Sequence, residues 1–230
     1  MFKSTLALAA AGLAAFAPIA ATAQDAEASP VADMRVYQPI SYDLNEDREN
    51  ILLLDLSNGE RVAVRLMPSW APNHVERMKT LARQGFYDGI IFHRVIDGFM
   101  AQTGDPTGTG QGGSELPDLK EEFNPMPHIR GTLSMARAAS EDRANSQFFI
   151  VFYPRFSLDK KYTNFGRVIS NMAAVDAINR GEPPANPTRI VQASIASDNK
   201  PVPAPMPTSA PAVVGEDEVT LDDLNASSTN

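Results

Sequence analysis

The stretch Phe92-His93-Arg94-Val95-Ile96-Asp97-Gly98-Phe99-Met100-Ala101-Gln102-Thr103-Gly104-Asp105 gathers the side chains most suited to chemistry. Asp97-Gly98 is a turn signal between two short apolar runs, so the runs read as paired strands. Alternation on such strands puts Arg94, Met100 and Gln102 on related faces, next to Phe99. Two readings fit this set. An arginine beside Phe and Met is a common solvated charge on an outer sheet face, its stem lying on apolar neighbours. The same residues also make an apolar pocket with one fixed guanidinium and one amide. Such a pocket suits a neutral, peptide-like ligand, and its charge does not titrate away.

Other motifs are weaker. Gly108-Thr109-Gly110-Gln111-Gly112-Gly113 formally matches GxGxxG. A dinucleotide site needs a helix directly after that pattern, and Ser114-Glu115-Leu116-Pro117-Asp118 starts a helix poorly. No Gly-Lys-Ser/Thr follows either, so a flexible glycine loop is the expectation. The three histidines are His74, His93 and His128. None stands four residues from another, and HExxH is absent, so no metal and no cofactor are expected. His74 reads as a surface residue of a helix, His93 as a partly buried strand residue, and His128 as a hydrogen-bonded anchor before a turn. The chain has no Cys, which excludes disulfides, thiolate metal sites and a thiol nucleophile. No GxSxG elbow supplies a serine nucleophile. The formal net charge of -8, from 20 Lys+Arg and 28 Asp+Glu, argues against a nucleic-acid partner.

The elements that must position these residues are mostly strands. Runs 51–56 and 61–66 flank Ser57-Asn58-Gly59-Glu60, a hairpin signal because Asn-Gly tolerates positive φ. A helix is predicted over 72–84, with Pro72 in its first turn, Val75, Met78, Leu81 and Ala82 on one face, and Gly85 just past its end. Further strands are predicted over 90–96, 99–102, 132–136, 147–152, 165–169 and 188–196. A second helix is predicted over 171–180, burying Met172, Val175 and Ile178 and stopping at Gly181. Many short strands with two separate helices suggest a mainly β chain: a closed antiparallel barrel with helical caps.

These residues resemble a known family. Phe92 to Gly113 is similar to the signature segment of the cyclophilins, the peptidyl-prolyl cis-trans isomerases. The resemblance continues in Gly131-Thr132-Leu133-Ser134-Met135-Ala136, Asn145-Ser146-Gln147-Phe148-Phe149-Ile150, Leu158-Asp159, Phe165-Gly166-Arg167-Val168 and Arg189-Ile190-Val191. It covers residues 47–197 in the family's order. It implies an eight-stranded antiparallel barrel capped by two α-helices, and short loops like those of bacterial members. It implies catalytic roles for Arg94, Gln102 and Phe99: Arg94 meets the twisted amide, and Gln102 helps to orient Arg94 and the substrate. It implies substrate contacts from Met100, Ala136, Arg137, Gln147, Phe149, Leu158 and Tyr162. Proline-containing unfolded or partly folded polypeptides are the implied partners, and a binding module or chaperone with little turnover is the alternative. Retention of Arg94, Phe99, Met100, Gln102 and Phe149 speaks for the enzyme, since a pure binder has no need of the guanidinium.

Three departures from the family pattern stand out. Ser157 occupies the place where eukaryotic members carry Trp, which implies weak cyclosporin binding. Tyr162 replaces the usual His. Arg137 stands where Asn is usual, which suggests a preference for an acidic residue before proline.

The flanks have their own logic. Lys3, an Ala/Leu-rich run and Ala21-Thr22-Ala23 read as a signal peptide over 1–23, cleaved before Gln24. A periplasmic monomer without a membrane span is therefore expected. Residues 24–46 read as an acidic linker ending against the domain edge. Residues 198–230 read as a disordered Pro/Ala-rich, acidic tail. Residues 24–46 hold five acidic and one basic residue and 198–230 hold six and one, whereas 47–197 hold seventeen of each. The acidity belongs to the flanks.

Overall fold

A computed structural model describes residues 36–204. The signal peptide with its cleavage site, the start of the acidic linker and most of the tail lie outside the described residues. Strands β1 (Ile51–Leu56) and β2 (Arg61–Leu66) form the expected hairpin, with Gly59 at φ +85°. Helix α1 (Pro72–Arg83) follows. It ends in a paired C-terminal cap: the Phe86 N–H reaches the Leu81 carbonyl at 3.0 Å and the Gly85 N–H that of Ala82 at 3.1 Å. Gly85 makes this possible at φ +69°. Then come β3 (Arg94–Ile96), β4 (Met100–Thr103), β5 (Thr132–Arg137), β6 (Ala144–Val151), β7 (Asn164–Ser170), α2 (Met172–Asp176) and β8 (Ile190–Ile195).

All eight strands join one antiparallel sheet in the order β3-β4-β6-β5-β7-β2-β1-β8. The sheet curls until its ends meet. The Phe92 N–H donates to the Thr188 carbonyl, and the Ile190 N–H to that of Ile90, both at 2.9 Å. This explains the shortness of β3. Residues 90–92 pair with 188–190, while Val95 bridges Gly181, so no single neighbour runs along the whole of 90–96. Helix α2 is shorter than its periodicity predicts for a similar reason. Asn171 caps its start by accepting from the Ala174 N–H, but the Asn179 N–H is taken by the Thr188 hydroxyl and Gly181 is drawn to β3.

Alternation assigns the two faces. Leu52, Leu54, Val62, Val64, Leu66, Phe148, Ile150 and Phe165 fill the interior and pack against Val75, Met78 and Leu81 of α1 and Val175 and Ile178 at the α2 end. Each such buried side chain stabilises by about 1.5–3 kcal/mol. On β6 the alternate residues Phe149 and Val151 point outward, where they join Met100.

The outer face of β2 is covered by residues 41–47. Arg65 is only 2% exposed there, and its guanidinium donates to the carbonyls of Ser41, Asp43, Glu46 and Asp47 at 2.7–3.1 Å. A buried cation with four acceptors avoids the cost of an unpaired charge. The segment thus lies across a strand face, because β2 has β1 and β7 on its two edges and offers none for pairing.

Candidate active site

The site stands on the β3–β4 hairpin and the outward face of β6. The turn Asp97-Gly98 holds Gly98 at φ +65° and sets the register Arg94↔Gln102 and Ile96↔Met100. On the next strand Gln102 faces Phe149 and Met100 faces Val151, and Phe149 in turn faces Ser134 of β5. One cross-strand row therefore runs Arg94, Gln102, Phe149. The set that suggested two readings lies on the outer face, yet it is not simply solvated.

A cavity of about 170 Å³ opens there, lined by Arg94, Phe99, Met100, Gln102, Ala136, Arg137, Phe149, Leu158 and Tyr162. Met100 and Phe149 are buried and form its floor. Gln147, the remaining candidate, lines an adjoining cavity of about 440 Å³ that shares Gln102, Ala136 and Arg137. The Gln102 side-chain amide donates from Nε2 to Gln147 Oε1 at 2.9 Å. Gln147 donates to the carbonyls of Gly110 and Gly112 at 3.1 and 2.8 Å. That glycine loop winds around buried Asp105, whose carboxylate accepts from the Thr107 N–H, the Thr107 hydroxyl and the Gly110 N–H. No helix follows the loop, which is not arranged as a dinucleotide cradle.

The far wall is the segment 156–162. His128 anchors it: the His128 N–H donates to the Asp159 carboxylate at 2.8 Å, His128 Nδ1 lies 2.8 Å from the same oxygen, and His128 Nε2 lies 2.9 Å from the Ser134 hydroxyl. The anchor role expected of His128 is thus present. Tyr162 meets Phe149 edge-on at 5.7 Å, and the Arg137 guanidinium sits 4.8 Å over the Tyr162 ring. Arg137 donates to the carbonyls of Lys161, Ala138 and Ala139 at 3.0–3.2 Å. Its fork is engaged by its own wall, which argues against the expected recognition of an acidic residue before proline. Arg155, which sequence reasoning missed, lies 5.1 Å over Phe99 and steadies the opposite rim.

Arg94 keeps its side chain 42% exposed, and its Nε donates to a Glu182 oxygen at 2.7 Å. Glu182 also escaped sequence reasoning; nothing in the local pattern connects residues so far apart. His93, beside Arg94, is buried at 5% exposure and precedes β3, whereas a partly buried strand residue was expected. Burial pushes its pKa down; Asp105 opposes this and Arg94 adds to it. The shift favours the neutral imidazole, and the fixed charges lining the pocket are those of Arg94 and Arg137. His74 is the clearest correction: expected on a helix surface, it is 0% exposed. Glu122 reaches the start of α1 and accepts from the N–H groups of Asn73 and His74 at 3.1 and 3.0 Å, with His74 Nδ1 at 2.6 Å. Burial raises the Glu122 pKa, but these hydrogen bonds outweigh it and hold the carboxyl below its usual range. Among the described residues no group of three or more His, Cys, Asp or Glu could hold a metal ion.

A family model described as cyclophilin type peptidyl-prolyl cis-trans isomerase/CLD matches residues 52–195. The chain belongs to the cyclophilin-type peptidyl-prolyl cis-trans isomerases. It is 45% identical over 170 residues to a probable peptidyl-prolyl cis-trans isomerase of Brucella suis, covering 67% of this chain and 86% of that protein. It is 42% identical over 128 residues to peptidyl-prolyl cis-trans isomerase B of Bacillus subtilis, covering 55% of this chain and 89% of that one. Among solved structures it resembles a cyclophilin from Hirschia baltica, with TM-score 0.62, 28% identity and 67% and 77% of the two chains covered. It also resembles a Cryptosporidium parvum cyclophilin-type isomerase solved in the presence of the dipeptide Ala-Pro, with TM-score 0.59, 29% identity and coverage of 63% and 98%. The cyclophilin barrel, its two helices and its enzyme class are those expected.

The wall anchor generates a pH prediction. Burial lowers the pKa of His128, with Asp159 opposing, and burial also lowers that of His93. Unfolded histidine titrates near about 6.5. Below that value the unfolded chain takes up protons that the folded chain refuses, so stability falls as pH falls. Each such histidine contributes up to about 1.4 kcal/mol per pH unit in that window. Urea midpoints at pH 7, 6 and 5 are expected to decline, with a shallower decline for His128→Gln; a flat series would contradict this.

Proposed function

We propose that this cyclophilin lowers the barrier to X–Pro rotation by holding the twisted amide against Arg94, and that its clients are exported polypeptides in the periplasm. The observation that carries the first part is the Arg94 guanidinium at the edge of a small pocket floored by Met100 and Phe149, where the second arginine of the lining, Arg137, has its fork engaged by backbone carbonyls. A pyrrolidine ring suits such a pocket, and the neighbouring structure solved with Ala-Pro supports a proline-containing ligand.

The physics of the reaction asks for little else. A planar X–Pro amide interconverts over a barrier of roughly 18–20 kcal/mol, because twisting breaks its resonance. The twisted nitrogen becomes pyramidal and regains a lone pair. A guanidinium N–H aimed at that lone pair stabilises the twisted form over both planar forms, which is differential binding of the transition state. No bond to the enzyme forms and no proton is transferred. The ring stays in the pocket while the carbonyl side of the amide rotates.

Exchange NMR on an Ala-Pro peptide tests this. The wild-type chain is expected to accelerate cis/trans exchange. Arg94→Ala should lower kcat/KM by roughly 100-fold or more, in line with losing one preorganised donor, with peptide binding retained by the apolar floor. Unchanged exchange with wild type, or full activity in Arg94→Ala, would sink the assignment.

Cyclosporin gives a second test. Ser157 is exposed on the wall and offers no large apolar face. Cyclosporin is expected to bind at least about tenfold more weakly than to a tryptophan-bearing cyclophilin, and Ser157→Trp should recover part of the loss. Equal affinity in direct titration rejects this. For the location, cell fractionation should recover the chain from the periplasm with Gln24 at its N-terminus; cytoplasmic retention of the intact N-terminus argues otherwise.

A further inference from the structure

Glu182 reaches the site through backbone geometry rather than proximity in sequence. The Val95 N–H donates to the Gly181 carbonyl at 2.8 Å, and the Gly181 N–H returns the bond to Val95 at 2.9 Å. Gly181 sits at φ +143°, and a Cβ there would lie 2.6 Å from the Pro184 Cα, so no larger residue fits this turn. The bridge brings the residue after Gly181 beside the residue before Val95. The Glu182 carboxylate accepts from Arg94 Nε at 2.7 Å as a result.

We propose that Glu182 is a positioning residue for Arg94: it binds the Nε edge of the guanidinium and leaves the two terminal amino groups to face the twisted amide. Among the described residues those amino groups make no other hydrogen bond, so the fork is divided between one anchored edge and one presented edge. The Gln102 amide, which the family resemblance casts in the orienting role, is directed to Gln147. A long, partly exposed arginine without an anchor spreads over many rotamers, and each turnover then has to order it. The inference rests on Arg94 being the group that lowers the barrier.

The pair is exposed, at 42% and 53% of the two side chains, so it adds little to global stability. Its effect belongs in turnover. Glu182→Ala is expected to lower kcat about three- to fivefold, with KM and the urea midpoint unchanged. Glu182→Gln keeps an acceptor oxygen and should restore most of the loss. In an Arg94→Ala background Glu182→Ala should change nothing further. The Arg94 Nε–Hε signal in ¹⁵N NMR should be sharp in wild type and broadened by solvent exchange in Glu182→Ala. Wild-type kcat in Glu182→Ala, or an equal loss with and without Arg94, overturns the inference while leaving the Arg94 reading intact. An inactive wild type, or an Arg94→Ala variant as active as wild type, overturns the parent reading and this one with it.

Discussion

Side-chain period two on a sheet that closes on itself is the constraint from which the rest follows. On β6, Phe148 and Ile150 must enter the interior, so Phe149 and Val151 must leave it. The outward set would be an apolar liability on a bare strand. Here it becomes a floor, because β4 brings Met100 and Gln102 beside it and the β3–β4 turn swings Arg94 into the same row. A slip of one residue between β4 and β6 would send Met100 inward and Ala101 out, and the pocket would vanish with the core. Site and barrel are thus specified by one register.

A floor needs walls, and the walls are built from loops fastened to the barrel by polar groups. Asp159 is held by the backbone and ring of His128. Asp105 and Gln147 secure the glycine loop. Arg137 bonds the carbonyls of residues 138, 139 and 161 and covers Tyr162. In each case a side chain satisfies backbone groups that an irregular segment leaves unpaired, so the segment gains one conformation without secondary structure. The arginines over Tyr162 and Phe99 also cover ring faces that would otherwise meet water.

Local signals in the chain were good guides where local forces decide. The Asn58-Gly59 hairpin, the Gly85 helix stop and the Asp97-Gly98 turn depend on residues within a few positions, and all stand where the pattern places them. The motif residues of the pocket were legible too, because Arg94, Phe99, Met100 and Gln102 share one hairpin and the family's segments keep its order. What escaped depends on partners remote in sequence. His74 looks like a surface residue until Glu122 caps its helix from 48 positions away. The helix over 171–180 stops early because Thr188 and Val95 compete for its last amides. Arg65 carries no signal of its own within the predicted strand 61–66, and only the fold shows it gathering four carbonyls of residues 41–47. Glu182 meets Arg94 through a bridge between two segments that no periodicity links.

The placement of Arg94 resolves a conflict between desolvation and strength. A guanidinium sunk into the apolar floor would act strongly on an amide, but taking it out of water costs several kcal/mol in the empty enzyme. A fully solvated one costs nothing and acts weakly, since water screens it. Arg94 lies between these limits: it lines the same cavity as Met100 and Phe99 while its side chain remains 42% exposed. On the proposed reading the proline ring and peptide displace that water only in the bound state, so the interaction strengthens when the amide is present to be twisted. The formal neutrality of residues 47–197 is compatible with this division. On the proposed reading a client is selected by the fit of its ring on the floor. On the same reading Arg94 then acts over a few ångströms on the twisted state.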